Sequence, residues 1–284
     1  MLKPLEVDSK IELTMKPIIS TEKFTFPWSF FRFFDAFPET VYLDPPKNES
    51  LNLPEPTSYD LIILGYQPWF LSPSMPMSAF MLSSEAKTIL AGKPVMTVIG
   101  CRNMWIEGQK TMKKLIDFCE GRLIDNVVFK DQSGPMESFV TTPRWMLTGK
   151  KDPFMGFSSA GISQNDIDQS SRFGDRIVQK LHENEIIGDE PMLCNLRAVE
   201  ADARFVASEK IAKRSFRIWG KLIRLFGSRG GWPRRPFLIL YITFLISLIL
   251  TVVPINMAIQ AVIRRLFKAN IDKMLKNIEA PSGR

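Results

Sequence analysis

Along the first two thirds of the chain, short apolar runs alternate with amphipathic stretches. Residues 59–65 (Tyr59-Asp-Leu-Ile-Ile-Leu-Gly65), 93–100 and 123–129 are almost unbroken in apolar character and bounded by turn residues. That pattern predicts strands buried on both faces. Between them, residues 78–90 and 107–119 carry apolar side chains at helical spacing. Strand, helix, strand, helix, strand implies a parallel sheet with crossover helices, an α/β fold.

The pattern changes in the last third. Residues 237–253 carry no charge, and apolar character continues past Pro254 to Ile263. A helix of about 20 residues spans the hydrocarbon of a bilayer, so this run predicts a membrane-embedded helix that tilts, kinks at Pro254 or surfaces near Asn256. A re-entrant hairpin is the main rival, and a buried core helix is another. Ahead of it, Lys210, Lys213, Arg214, Arg217, Lys221 and Arg224 recur every three or four residues among Ile211, Ile218, Trp219, Leu222, Ile223 and Phe226. This reads as a basic amphipathic helix suited to the headgroup layer, or as the solvated face of an ordinary surface helix. Gly and Pro then break it over residues 227–233. The expected division is a domain at 1–200, a basic juxtamembrane segment at 201–235, a membrane helix at 236–264 and a basic tail at 265–284. More Lys and Arg precede the apolar run than follow it, which places the folded domain on the cytoplasmic side of the membrane.

Composition sharpens this picture in three places. The net charge of +7 over 284 residues is concentrated near the apolar run, which fits anionic lipid and argues against nucleic acid. Cys101, Cys119 and Cys194 are too scattered for a disulfide framework, and no secretory signal opens the chain. His182 is the only histidine and lies in a polar stretch; no cluster has metal-ligand spacing, and no Gly-rich phosphate loop occurs.

In parallel sheets ligands bind beyond the carboxyl ends of the strands. There the chain offers Tyr66, Gln67, Pro68, Trp69 and Phe70 after one predicted strand, and Gly100, Cys101, Arg102, Asn103 and Trp105 after the next. Aromatic faces with a polar rim suit a planar ring; ordinary packing accounts for the aromatics equally well.

Residues 60–80 resemble the strand, flavin-ring loop and helix start of flavodoxin-like oxidoreductases, including quinone reductases. More narrowly, Phe26-Pro-Trp-Ser-Phe-Phe-Arg-Phe-Phe-Asp35, Val98-Ile-Gly-Cys-Arg-Asn-Met-Trp105 and Thr141-Thr-Pro-Arg-Trp-Met-Leu-Thr-Gly-Lys-Lys151 resemble the bacterial dialkylresorcinol-condensing enzyme family. The resemblance implies a flavodoxin-like fold, FMN held by the two aromatic loops, and a role in making dialkylresorcinols. Condensation itself needs a nucleophilic Cys with a His pair or His and Asn, which one histidine does not supply. The implied step is therefore flavin-dependent aromatisation of a dialkylcyclohexanedione made by a separate ketosynthase. Arg102 and Arg144 are then candidate catalytic groups for an enolate oxygen. A membrane-associated quinone reductase and a non-catalytic partner of the ketosynthase are the alternatives, and a homodimer is a family expectation.

Two features bear on that reading. Phe24, Phe26, Trp28, Phe30, Phe31, Phe33, Phe34 and Phe37 crowd one short segment, fit to roof a slot for a long-chain substrate, to rest on lipid or simply to fill core. The opening strand and phosphate-binding loop of a flavodoxin-like chain are missing. Residues 1–6 read as the tail of the first helix and residues 10–17 as the second strand, so the expectation is a native start upstream.

Overall fold

The computed structural model describes residues 1–134, 136–183, 187–266 and 268–283; within 252–268 the one side chain described is that of Ile255. The chain opens with helix α1 (Lys3–Val7), then α2 (Phe30–Asp35) and α3 (Phe37–Tyr42). Strand β1 (Ile62–Tyr66) leads through the two-residue strands β2 (Pro68–Trp69) and β3 (Ser72–Pro73) to α4 (Met75–Met81) and α5 (Ser84–Leu90). Next come β4 (Pro94–Cys101), α6 (Ile106–Phe118), β5 (Arg122–Lys130), α7 (Ser138–Thr148), α8 (Gln164–Gln169) and α9 (Ser171–Glu183). Three helices close the chain: α10 (Ala203–Arg224), α11 (Arg235–Leu266) and α12 (Lys268–Glu279).

The sheet is parallel in the order β1-β4-β5, as the alternating pattern predicts. β4 lies in the middle, and Val95, Met96, Thr97 and Ile99 on it are fully enclosed. That is why the run reads as continuously apolar rather than alternating. The main core joins these strands to Phe80, Met81, Ile89 and Leu90 of α4 and α5, Met112 and Ile116 of α6, and Phe173 and Ile177 of α9. The helix expected at 78–90 is two helices, because the Ser83 hydroxyl caps α5 by accepting from the Ala86 amide.

Three expectations need correction. Residues 10–17 form no strand; Ile11 and Leu13 pack on the core, but the segment has no ladder partner. An alternating pattern becomes a strand only when a neighbouring edge takes its amides and carbonyls. The basic helix α10 does not keep its whole cationic stripe outside. Lys213, Gly220 and Ile223 are buried against the domain, while Ile211 and Ile218 stand about two thirds exposed. The expected basic tail is the helix α12, and the residues after it are docked in the core. The Glu279 carboxylate accepts from the Ala201 amide at 2.8 Å, and the Lys113 ammonium donates to the Ala280 carbonyl at 2.8 Å. The Ser282 hydroxyl accepts from the Asn126 amide and donates to Asp125 at 2.7 Å.

α11 is long and apolar enough to cross a membrane, and its helical backbone runs through Pro254. Its first turns are bound to the domain. Leu238, Tyr241 and Ile242 pack with Phe37, Val41 and Ile223 in a second core. Arg234, just before the helix, is completely buried and meets Glu39 through two hydrogen bonds of 2.9 and 3.0 Å and Asp35 at 3.0 Å.

Candidate functional site

The two predicted ring-binding loops do emerge at the carboxyl ends of β1 and β4. Tyr66 points inward: its hydroxyl donates to Gln109 at 2.7 Å, the Gln109 amide donates to Thr97 at 2.9 Å, and the Thr97 hydroxyl donates to Asn126 at 2.9 Å. This buried polar chain ties α6 to all three strands, and burial pushes the Tyr66 phenol well above its ordinary range. Trp105 is also inside, part of the main core. Gln67 is exposed, Pro68 is half-buried, Gly100 and Cys101 are the last residues of β4, and Arg102 and Asn103 form the bend after it. Burial pushes the Cys101 thiol far above its ordinary value, the opposite of the shift that activates a thiolate.

Trp69 and Phe70 face the Phe-rich segment rather than open space. Trp69 meets Phe24 and Trp28 edge-on, each with centroids 5.3 Å apart. Phe70 meets Phe33 at 4.9 Å and Phe37 at 5.3 Å. Trp28 and Phe33 join the two halves at 5.8 Å, and Phe37 lies against Tyr241 of α11. The rings thus form an unbroken series from the sheet edge to the apolar helix.

The two candidate catalytic arginines occupy separate places. The Arg102 guanidinium sits 4.2 Å over the Phe139 ring, and burial lowers it to about 10 while Asp131 works against that shift. Beside it, the Asn103 side-chain nitrogen is buried without a hydrogen-bond partner. Arg144 is spent on its own loop: it pairs with Asp152 at 2.8 Å, donates to the Asp152 carbonyl at 2.8 Å and covers Phe154.

A clamp that the sequence conceals holds both loops. On α10, Lys213 donates to the Leu71 carbonyl and the Ser72 hydroxyl, both at 2.6 Å, fixing the β2–β3 turn where Phe70 and Leu71 adopt positive φ. One turn earlier, Glu209 accepts from the Glu107 amide at 2.8 Å and caps α6 after the second loop. Burial raises Glu209 to about 7 and lowers Lys213 to about 8. The available signal was an acidic residue four positions before a lysine inside an otherwise basic stripe.

FMN needs a ring slot and a phosphate cradle. The orphaned Asn103 amide and exposed Gln67 suit a ring's polar rim, but the faces of Trp69 and Phe70 are covered by the chain's own rings. Among the described residues no hydroxyl- and glycine-rich loop opens a helix beside β1, where the phosphate would be held. The described residues therefore do not fit the whole cofactor.

An open groove of about 710 Å³ lies beside the Phe-rich strap formed by residues 24–37. Phe24 and Trp28 supply an aromatic wall; Arg32, Arg224 and Arg229 supply cations, with Asp35 and Glu39 at its floor. Arg224 pairs with Asp44 and Arg229 with Glu22, whereas Arg32 is exposed and makes no ion pair among the described residues. Arg32 was legible only as the single cation within Phe30–Phe34. No family model, curated protein or solved structure matches the chain.

Proposed function

We propose that the protein handles a long-chain cyclohexanedione or resorcinol at a membrane surface, in dialkylresorcinol formation. The observation that supports this most is the ring series from Trp69 through Trp28, Phe33, Phe70 and Phe37 to Tyr241, which links the groove to α11. A ligand of this class has a flat polar head and two alkyl tails. A cyclohexane-1,3-dione is a vinylogous acid whose enolate would sit against Arg32, its ring against Trp28 and its tails along the strap toward lipid.

The finer reading is the aromatising oxidation that the sequence resemblance implies, which removes two hydrogens from the ring and passes them to an acceptor of the flavin class. In that reading Arg102 and the orphaned Asn103 amide, just after β4, are the groups that would meet an enolate oxygen of the substrate, with the acceptor supplied from elsewhere. Arg144 is not, because Asp152 occupies it. The covered faces of Trp69 and Phe70 favour a second reading: the chain presents the dione, and the ketosynthase or another partner carries out the chemistry.

The test is a titration of the purified full chain with a dialkylcyclohexane-1,3-dione, read by tryptophan fluorescence, alone and with added FMN. Saturable quenching that weakens about tenfold in Arg32→Ala is expected from the loss of one charge-assisted contact. Conversion to the resorcinol with FMN supports the oxidase; binding without conversion supports presentation. Absence of binding overturns both.

A further inference from the structure

The two ends of α11 are fastened to the same folded body, and that constrains how it meets a membrane. At its start, Arg234 is buried between Asp35 and Glu39. Beyond its far end, Leu275 and Ile278 pack on the main core, and Glu279, Ala280 and Ser282 are hydrogen-bonded to Ala201, Lys113 and Asp125. Leu266 is nine residues before Leu275. At the helical rise this separation is about 14 Å, and even a fully extended chain covers only about 32 Å. A bilayer is about 40–45 Å thick with its headgroups, so a crossing α11 would pull the helical α12 off the core.

The helix is also two-sided. Leu238, Tyr241 and Ile242, with Leu245 beside them, follow a three- and four-residue spacing and face the domain. Ile239, Leu240, Phe244, Ile246, Leu250 and Ile255 are exposed, Leu250 by 71%. A helix surrounded by lipid would have no such protein-bound stripe, and one wholly inside a protein would have no such exposed one. Cations flank the exposed face: Arg235 and Lys221 at one end, Lys273 and Lys276 at the other, all exposed. Like charges at both ends oppose a second copy on this face and favour anionic headgroups.

We propose that α11 lies along one leaflet with its Ile239–Leu240–Phe244–Leu250 face in the acyl boundary, so that α10, the sheet and α12 all stay on one side. This rests on the membrane reading above. It makes the protein a monotopic one, and the charge-rich α12 part of the domain rather than a tail beyond the bilayer.

The experiment uses the full chain carrying Cys194→Ser, with either Arg214→Cys or Lys276→Cys, both at exposed positions. The protein is added from detergent to preformed closed vesicles of phosphatidylcholine and phosphatidylglycerol, then treated outside with an impermeant maleimide. The expected result is equal labelling of the two variants, with no gain on opening the vesicles. Protection of Lys276→Cys until the vesicles are opened, with Arg214→Cys labelled, would overturn the proposal. Co-sedimentation with the same vesicles separates this failure from that of the membrane reading: a chain that never sediments sinks the membrane association itself. Leu250→Glu should lower partitioning about tenfold or more while leaving thermal unfolding unchanged, since its side chain faces away from the core. A detergent-free dimer that ignores vesicles and is split by Leu250→Glu would also overturn it.

Discussion

The Phe37 ring lies flat on the ring of Tyr241, with centroids 4.3 Å apart and planes 3° from parallel. Both are fully buried, and they come from segments 204 positions apart, so the contact is one of those that attach α11 to the strap. Phe37→Ala should cost about 3–5 kcal/mol through lost burial and the cavity left behind. Denaturant unfolding measures the loss. Limited proteolysis within residues 226–236 should accelerate alongside it, because α11 loses its seat.

Arg234 makes the same junction electrostatically. Its guanidinium is fully enclosed and bidentate on Glu39, so removing it leaves two carboxylates facing each other out of water. Arg234→Ala should destabilise by about 3–5 kcal/mol, more than Arg224→Ala, whose surface pair with exposed Asp44 contributes about 0–1 kcal/mol. Comparing the two variants by thermal and denaturant unfolding checks the contrast.

Glu209 gives stability a definite pH slope. Its folded value of about 7 stands above the ordinary 4.5, so between those pH values the folded state holds a proton that the unfolded state has released. The contribution of this group is therefore complete below about pH 4.5 and is lost as pH rises through about 7. Lys213 has the opposite sign on the alkaline side: with its folded value lowered from 10.5 to about 8, its contribution recovers between those two. Glu209→Gln keeps an acceptor for the Glu107 amide and removes the titration. Denaturation at pH 5 and pH 7.5 should show a smaller decline for this variant than for the parent chain.

Ser282 stands against the middle of β5, accepting from the Asn126 amide while donating to Asp125, which also accepts from the amides of Met192 and Leu193. Ser282→Ala leaves a buried amide and one carboxylate position unmatched, for a loss of about 1–3 kcal/mol. Hydrogen exchange at Asn126 should rise more than at Val127 of the same strand.

The strands and α6 were legible because burial on both faces leaves a run that only a central strand explains, and because a 13-residue helix repeats its apolar spacing often enough to be read. What escaped the sequence is non-local. Residues 10–17 have a strand's alternation but no edge to pair with. Lys213 reads as one more solvated cation, and only the Leu71 carbonyl and Ser72 hydroxyl turn it inward. The aromatic loops were placed correctly at the strand ends, yet composition cannot tell a ring that waits for a ligand from one met by Trp28 or Phe33. Ser282 carries no local signal at all, since its role depends on Asp125, 157 positions away.

That last contact also sets an order of events during synthesis. Asp125 and Asn126 receive Ser282 only after residues 235–266 have left the ribosome. The nascent domain therefore carries an unmatched Asn126 amide for as long as the apolar helix is being made. α11 is complete before the fold can lock, and a chain stalled within α12 would hold a finished apolar helix on an unfinished body.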